Sequence, residues 1–251
     1  MRLYTDPATG RLYYVDPRTG ESRCAPVMVG SVPPVVTERP RRSRRGRRLG
    51  RWIGGLVAFG VIGATNDEKA LRKDLEFCKE MGIGEITCEP AADAWPLVDK
   101  LVQEYKMEAA CHNHPKRDGY KYWNPDYVLE AIKGLSASCG ACADVGHMVR
   151  SKLSPVESLK KYEGRLISLH LKDIKEVKGE MIDQPWGTGT TDIAAVLKEL
   201  RRQKFAGYMS VEYEDGAGKE LEANVRKCIE HFDALCVAMV AAEAKAPSAT
   251  K

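Results

Sequence analysis

The feature that most constrains the fold is a regular alternation, from Leu56 onward, of short apolar runs with segments of helical periodicity. The apolar runs predict six buried strands: Leu56–Ile62, Glu85–Cys88, Glu108–His112, Cys139–Asp144, Leu166–His170 and Tyr208–Glu212. Each run is followed by a predicted helix: Asp67–Met81, Ala94–Tyr105, Pro125–Lys133, Pro155–Tyr162, Thr191–Gln203 and Lys219–Leu235. Asn66 and Ser154 precede two of these helices and are typical helix-capping residues. Repeated strand–helix units predict an α/β fold with a parallel sheet.

The charge distribution divides the chain near residue 55. The first 55 residues contain 12 arginines and no lysine against 4 acidic residues, whereas residues 56–251 contain 27 basic and 31 acidic residues. The net charge of +4 therefore belongs to the first region and says nothing about the substrate of the second. We predict four segments: a small β meander over 1–26, an Arg/Pro-rich linker over 27–55, the α/β domain over 56–240, and a disordered tail over 241–251.

The N-terminal region carries two DPxTG turns, beginning at Asp6 and Asp16, on either side of an apolar run. Proline and glycine at these positions are typical of tight turns, so the segment is predicted to be antiparallel strands. It resembles the middle of a WW domain, but Cys24 stands where the second tryptophan of such a domain falls, so peptide binding is not predicted. The linker holds eight arginines between Arg39 and Arg51 without interleaved aromatic residues, which favours a solvated tether over a nucleic-acid or anionic surface site.

Neither a membrane span nor a disulfide framework is predicted. The apolar stretch Trp52–Ala64 is shorter than the roughly 20 residues that a bilayer requires. The eight cysteines are scattered through apolar runs, which suits a reducing cytoplasm. Cys139 and Cys142 form a CxxC pair, but the pair lies in a predicted strand without a second pair, which argues against a redox or structural zinc site.

Histidines and acids concentrate at the predicted strand ends. Four of the five histidines lie at or just after the C-terminal end of a strand, and two strands end in an acid; these residues are His112, His114, His147, His170, Asp144 and Glu212. In a parallel α/β barrel these strand ends converge on the face where active sites form. Imidazoles and carboxylates gathered at one place suit Mn, Zn, Co, Fe or Mg. The sequence therefore predicts a divalent-metal site.

Three motifs carry a resemblance to a known family. Asp144-Val-Gly-His147, His170-Leu-Lys-Asp173 and Ser210-Val-Glu212 resemble the last three strands of the xylose-isomerase-like TIM barrel superfamily, which includes sugar phosphate isomerases and epimerases, inosose dehydratases and endonuclease IV. The resemblance covers Leu56 to Cys236. It implies a TIM-barrel, (β/α)8-like fold. Only six βα units are visible, so the barrel is predicted to be incomplete, with an open edge that the N-terminal region or a homo-oligomer partner covers.

The resemblance also implies roles for individual residues. Asp144, His170 and Glu212 are expected to bind the metal, and His147 to contact the substrate or the ligands. His112 stands where the epimerases have a metal-binding glutamate, so we take it as the fourth ligand; His114, two residues on, is expected to contact substrate. Epimerases of this group use two carboxylates on opposite faces of the substrate, of which Glu212 alone is evident, so one-sided chemistry is expected instead of C3-epimerisation.

Three further residues have two interpretations each. Glu89 is a candidate general base or additional ligand, or else an acid held in the turn before a helix. Lys172 is a candidate to stabilise an enolate or to bind phosphate, or else a solvated loop lysine. Trp186 opens a Trp-Gly-Thr-Gly loop that is expected to act as a glycine-hinged lid, with Trp186 contacting substrate and Asp192 capping the next helix.

The resemblance implies a metal-dependent enzyme that acts on a sugar, keto-sugar or cyclitol. The metal is expected to be Mn, Co, Zn or Mg, and Glu212, Glu89, His147 and Lys172 are the candidate catalytic residues. Isomerisation, epimerisation, dehydration and lysis all remain open. The alternatives are a degenerate, non-catalytic barrel that binds metal, and an abasic-site endonuclease. The acidic excess of residues 56–251 and the lack of further histidines on the early strands disfavour the endonuclease.

Overall fold

A computed structural model describes residues 64–245 together with short strands at 4–5, 12–15, 22–23, 28–29 and 59–62. The strands are β1 (Tyr4–Thr5), β2 (Leu12–Val15), β3 (Ser22–Arg23), β4 (Met28–Val29), β5 (Phe59–Ile62), β6 (Glu85–Cys88), β7 (Glu108–His112), β8 (Cys139–Asp144), β9 (Leu166–Leu171), β10 (Asp173–Val177), β11 (Glu180–Gln184) and β12 (Tyr208–Val211). The helices are α1 (Glu68–Glu80), α2 (Trp95–Tyr105), α3 (Pro125–Ala131), α4 (Val145–Arg150), α5 (Pro155–Lys161), α6 (Ile193–Arg202) and α7 (Gly218–Lys245). The arginine run Arg39–Arg51 lies outside the described residues.

A parallel sheet forms the centre of the molecule. Its seven strands follow the order β4-β12-β9-β8-β7-β6-β5. Six of them are the predicted strands, and an incomplete α/β barrel is thereby confirmed. Neighbouring strands pair so that their carboxyl ends lie level: His112 is opposite Cys142, and Asp144 and Ser210 are both opposite His170. This register brings the candidate ligands to one edge of the sheet.

Helices cover the outside of this sheet because each presents one apolar stripe to it. Leu71 and Leu75 of α1 and Leu101 of α2 are fully or almost fully buried, and they belong to the same core as the strand residues Ile86 and Leu169. Such burial contributes roughly 1.5–3 kcal/mol for each large aliphatic side chain. The core thus fixes the strands whose ends carry the polar cluster.

Of the two predicted helix caps, one is found as predicted and one is displaced by a residue. Ser154 caps α5 as expected, accepting a hydrogen bond from the Glu157 amide. The cap of α1, however, is Asp67, which accepts from the Ala70 amide, while the amide of the Asn66 side chain donates to Asp93 at 2.7 Å. An ionised carboxylate one residue closer to the helix is the stronger acceptor for its N-terminal amides.

The N-terminal segments form two kinds of strand. β1, β2 and β3 pair antiparallel. Met28–Val29, within the segment predicted as a linker, instead pairs parallel with β12 and extends the barrel sheet by one strand. This pairing covers an edge of β12 that would otherwise present unpaired backbone groups.

Three parts of the structure differ from what the sequence predicts: the β10–β11 hairpin, helix α4 and the end of helix α7. β10 and β11 form an antiparallel hairpin where a loop was expected, turning at Lys178 and Gly179 with φ of 53° and 88°. The six-residue helix α4 follows β8 directly. Helix α7 runs to Lys245, five residues into the predicted disordered tail, since the Ala-rich sequence there is helix-forming; residues 246–251 are outside the described part.

No helix within residues 64–245 combines the length and the apolar character needed to cross a bilayer. None of the seven cysteines in that range forms a disulfide, and all seven are buried, Cys139 and Cys142 among them.

Candidate metal centre

Asp144 occupies the centre of the polar edge. It ends β8 and caps α4, with Oδ1 accepting the His147 amide at 2.7 Å. Asn113, buried at the end of β7, fixes its backbone by donating to the Asp144 carbonyl at 3.1 Å and accepting from the Asp144 amide at 2.8 Å. Burial raises the pKa of Asp144, and its Oδ2 has no hydrogen-bond partner among the described residues. Asn113 was not among the predicted site residues, because its only signal in the sequence is its place between two histidines.

The His112 imidazole lies between two groups of ligand atoms. Its Nε2 is 3.2 Å from His170 Nδ1 and 3.9 Å from Asp144 Oδ2. Its Nδ1 is 3.5 Å from Glu89 Oε1. The ring is 2% exposed, so both nitrogens face protein groups and not bulk water.

His170 and Glu212 end the adjacent strands β9 and β12 and are in direct contact through Nδ1 and Oε2. Burial alone would lower the pKa of His170, but Cys142 and the Glu212 carboxylate outweigh it and raise that pKa well above its ordinary value. Burial works against ionisation of Glu212 too, and His170 and Lys172 reverse the effect, so the pKa of Glu212 lies below its usual range. The pair is therefore a protonated imidazole against a carboxylate when no cation is bound.

His147 is held differently. Its Nδ1 lies 3.1 Å from Arg150 Nη1, and a guanidinium can only donate, so Nδ1 accepts and the ring proton is on Nε2. Nε2 lies 3.5 Å from Asp144 Oδ2. Burial, with the positive charge of Lys172, lowers the pKa of His147 to about 2. His147 is thus a neutral hydrogen-bond donor at the edge of the ligand cluster.

Lys172 is fully buried, so its interpretation as a solvated loop lysine is wrong. Its Nζ lies 3.5 Å from Asp144 Oδ2, 3.4 Å from Glu212 Oε1 and 2.5 Å from Glu214 Oε2. Burial opposes its charge, but Asp144 and Glu212 outweigh burial and raise the pKa of Lys172. The side chain reaches this position across Gly146, where a Cβ would come within 2.7 Å of the Lys172 Cβ and Cγ. Glu214 was not foreseen, because it follows the strand in what reads as a loop.

The donor atoms suit a divalent cation. Three groups each place their ligand atoms within 4.8 Å of one another: His112, Cys142 and His170; His112, Asp144, His147 and Glu212; and Glu89, His112 and His114. Asp144 Oδ2 is a buried oxygen that lacks a hydrogen-bond partner within the described chain, and the buried Glu212 Oε2 is in contact with the His170 imidazole. Buried unpaired carboxylate oxygens cost free energy, which a bound cation would offset.

Glu89 belongs to the cluster, so its interpretation as an acid held only by the turn before α2 is incomplete. Oε1 lies 2.5 Å from His114 Nδ1. Burial opposes ionisation, and the imidazoles of His112 and His114 outweigh it and lower the pKa of Glu89 to about 2. The Tyr120 hydroxyl donates to the His112 carbonyl and accepts the His114 amide, each at 3.1 Å, which fixes this segment. Glu89, Tyr120 and Tyr122 also line a cavity of about 690 Å³.

The Trp186 loop is anchored by hydrogen bonds to one carboxylate, and its role as a lid stays a prediction. The buried Asp173 carboxylate accepts the amides of Gly187, Gly189 and Thr191, each at 2.9 Å. Trp186 is 2% exposed and packs in the hydrophobic core, so it presents no surface to substrate here. Asp192 caps α6 as expected. The acid of the His-Leu-Lys-Asp motif therefore holds a loop and not a metal.

Comparison with known proteins identifies the fold family. The family model of the xylose isomerase-like TIM barrel matches residues 62–235. An 86-residue stretch is 34% identical to inosose dehydratase of Clostridium botulinum, covering 28% of this chain and 29% of that protein. The match thus spans under a third of the length of that curated relative.

Solved structures share the fold. A D-tagatose 3-epimerase-like protein superposes with a TM-score of 0.57 at 17% identity, covering 69% of this chain and 70% of its own. The IOLI protein, whose crystal structure is described with a bound zinc atom, gives a TM-score of 0.55 at 17% identity, with 71% of this chain and 74% of that chain covered. At these identities the likeness shows the fold alone.

Proposed function

The chain belongs to the xylose isomerase-like TIM barrel family, and from that membership we propose that it is a metal-dependent enzyme of the sugar isomerase, epimerase or dehydratase type. One observation carries the proposal: Asp144, Glu212, His112 and His170 converge at neighbouring strand ends, around a buried carboxylate oxygen, Asp144 Oδ2, that has no hydrogen-bond partner in the described chain. Carboxylates and imidazoles in this combination suit Mn, Co, Zn or Mg.

We assign His112, Asp144, His170 and Glu212 as the residues that would hold the cation. His147 lies within ligand distance of three of them, but its Nε2 carries the proton because Arg150 occupies Nδ1. Because Arg150 occupies Nδ1, the Nε2 proton cannot move to the other ring nitrogen, so Nε2 has no free lone pair for a cation and His147 is assigned to the substrate. The zinc atom belongs to the IOLI protein, and it supports but does not identify the metal of this chain.

The proposed reaction removes a proton from the carbon next to a carbonyl. A bound divalent cation supplies Lewis-acid polarisation of the substrate oxygens. Glu212 is ionised and accepts the proton, since His170 and Lys172 keep its pKa low. The Lys172 ammonium and the His147 Nε2–H lie close enough to Asp144 to donate to the negative oxygen that then develops. Cyclitols and keto-sugars are the proposed substrate class, and the inosose dehydratase relative supports it.

Exchange in deuterium oxide tests the proposal. The Mn²⁺-loaded protein should exchange the α-proton of an inosose or a ketohexose, seen as loss of its NMR signal. Glu212→Gln should exchange at least about 100-fold more slowly, in the range that general-base catalysis supplies. Glu130→Gln, the same change on a side chain that is 72% exposed, should behave as the unmodified protein.

A non-catalytic metal-binding barrel makes the opposite prediction. It would bind Mn²⁺ through the same residues and leave every α-proton in place. Metal retention by Glu212→Gln has to be checked alongside, because loss of the cation would also stop exchange. Exchange by both variants at the unmodified rate would remove Glu212 from the mechanism.

A further inference from the structure

A cavity of about 690 Å³ opens beside the metal centre, and the proposed reaction does not use it. Its walls are the loop after β6, the loop that leads into α3, and α3 itself. Most of the wall is aromatic or small and apolar, through Pro90, Ala92, Tyr120, Tyr122, Tyr127 and Ala131. Pockets of roughly 300–1,000 Å³ enclose drug-sized molecules. The cavity therefore has room for a ring in addition to the sugar held at the metal centre.

Glu89 belongs to both the cavity wall and the polar cluster of the centre. Its Oε1 lies 2.5 Å from His114 Nδ1 and 3.5 Å from His112 Nδ1, so the carboxylate faces the imidazoles. The side chain is 16% exposed and separates the two spaces by its own width only. A molecule bound at the centre can therefore extend past Glu89 into the cavity.

The hydroxyl groups of two tyrosines in the wall are already bonded to the protein. The Tyr122 hydroxyl donates to the Pro90 carbonyl at 2.6 Å and accepts from Trp95 Nε1 at 3.0 Å. The Tyr120 hydroxyl makes two bonds of 3.1 Å to the backbone at the end of β7 and just after it. The two rings meet edge to face, with centroids 6.1 Å apart. Fixed rings whose hydroxyls are used offer a ligand apolar surface more than hydrogen bonds.

Tyr127 of α3 adds an aromatic side chain that is 48% exposed. The charged groups of the wall are directed to other partners or to solvent. Glu89 faces the imidazoles, Lys121 is exposed, and Glu130 lies 3.4 Å from Lys133 with both side chains over 70% exposed, at 72% and 73%. An anionic group in the cavity would lie next to the ionised Glu89 and be repelled by it. The wall therefore suits an uncharged ring.

We propose that the cavity binds an uncharged aromatic ring joined to the sugar, so that the substrate class of this site is an aryl glycoside of a keto-sugar. The sugar binds at the metal centre, and the aryl ring packs against Tyr120, Tyr122 and Tyr127. Aromatic pairs contribute binding free energy beyond the area that they bury. The inference rests on the proposed function, because it names the substrate class of the same site.

Isothermal titration calorimetry on the full-length, Mn²⁺-loaded protein tests the cavity. The ligands are phenyl and methyl β-D-glucopyranoside, which lack the carbonyl and are not turned over. The phenyl glucoside should bind about tenfold more tightly than the methyl glucoside, as expected for one packed aromatic ring. Tyr127→Ala should reduce that ratio to under about threefold, and Tyr127→Phe should keep it, since the ring and not the hydroxyl makes the contact.

Two further variants complete the test. Ala92→Phe, at an exposed position of the wall, should fill the cavity and abolish the preference for the phenyl glucoside. Phe77→Ala removes an aromatic ring of similar exposure, 46%, from α1 outside the cavity and should keep the preference.

The outcomes separate this inference from the proposed function. Equal affinity for the two glucosides, or no binding of either, overturns the aryl cavity, and so does a phenyl preference that survives both Tyr127→Ala and Ala92→Phe. Cellobiose bound as tightly as the phenyl glucoside would assign the cavity to a sugar ring and overturn the aryl class. A phenyl preference lost in both variants, in a protein that exchanges no α-proton of any keto-sugar, keeps the cavity and overturns the proposed reaction.

Discussion

At the scale of single residues, His147 and His170 both lie next to the carboxylates of the metal centre, but their hydrogen-bond partners differ, so we assign His170 to the cation and His147 to the substrate. We expect His170→Ala to weaken Mn²⁺ binding by more than about 100-fold. Removing a residue that only hydrogen-bonds to a metal ligand typically lowers metal affinity by about 10–100-fold. His147→Ala should stay within that smaller range, since Arg150 leaves its Nε2 protonated. Isothermal titration calorimetry on the two variants measures both effects. Equal losses would show that His147 is a ligand, as its distance from Asp144 permits.

The position of histidines and acids at predicted strand ends was enough to predict most of the metal centre, but not the residues that hydrogen-bond to it. His112, Asp144, His170 and Glu212 could be found because each ends a predicted strand, and the register of the sheet brings such ends together. The partners of these ligands make their contacts with side chains that extend across loops, and no spacing in the sequence encodes such contacts. These partners are Asn113, Tyr120, Glu214 and Arg150. The burial of Lys172 was hidden for the same reason, because it depends on the absence of a side chain at Gly146.

At the scale of elements, the hairpin and the loop that follows it depend on one carboxylate. Asp173→Ala would leave three backbone amides without their acceptor. Hydrogen bonds to a charged group contribute about 1.5–3 kcal/mol, so we expect a loss of about 3 kcal/mol or more in the free energy of unfolding. Urea denaturation measures it. Glu176→Ala, an exposed position of the same strand, is the control and should change stability by under about 0.5 kcal/mol.

The elements that the sequence predicted well are those that bury an apolar pattern. The six barrel strands and their helices lie within a few residues of expectation, apart from α7, because burial fixes their period. The hairpin of β10 and β11 was missed because half of its strand residues are charged, with no apolar alternation to detect. Helix α4 was missed because it starts immediately at the end of β8, with no loop to mark its beginning.

At the scale of the whole molecule, the N-terminal region contributes the edge strand β4, and every proposed metal ligand lies outside that region. Deletion of residues 1–54 should leave Mn²⁺ stoichiometry unchanged, because every proposed ligand lies at His112 or beyond. It should also remove β4 from the edge of β12 and expose unpaired backbone there. We therefore expect more self-association, measured by static light scattering.

Two results would contradict this view. Loss of metal on deletion would place part of the N-terminal region in the site. Unchanged association would mean that something other than β4 covers the edge, such as a second copy of the chain. For the full-length protein, limited proteolysis is expected to cut first between Arg39 and Arg51.

The passage of Lys172 over Gly146 has an evolutionary consequence. The two positions belong to separate motifs, Asp-Val-Gly-His and His-Leu-Lys-Asp, but they share one volume, since any Cβ at 146 would overlap the stem of the lysine. Substitutions at the two positions should therefore be inherited together: lineages that acquire a side chain at 146 should have shortened or lost the lysine at 172. Where that has happened, the carboxylates lose their internal counter-charge, and the metal preference and chemistry of the lineage are free to diverge.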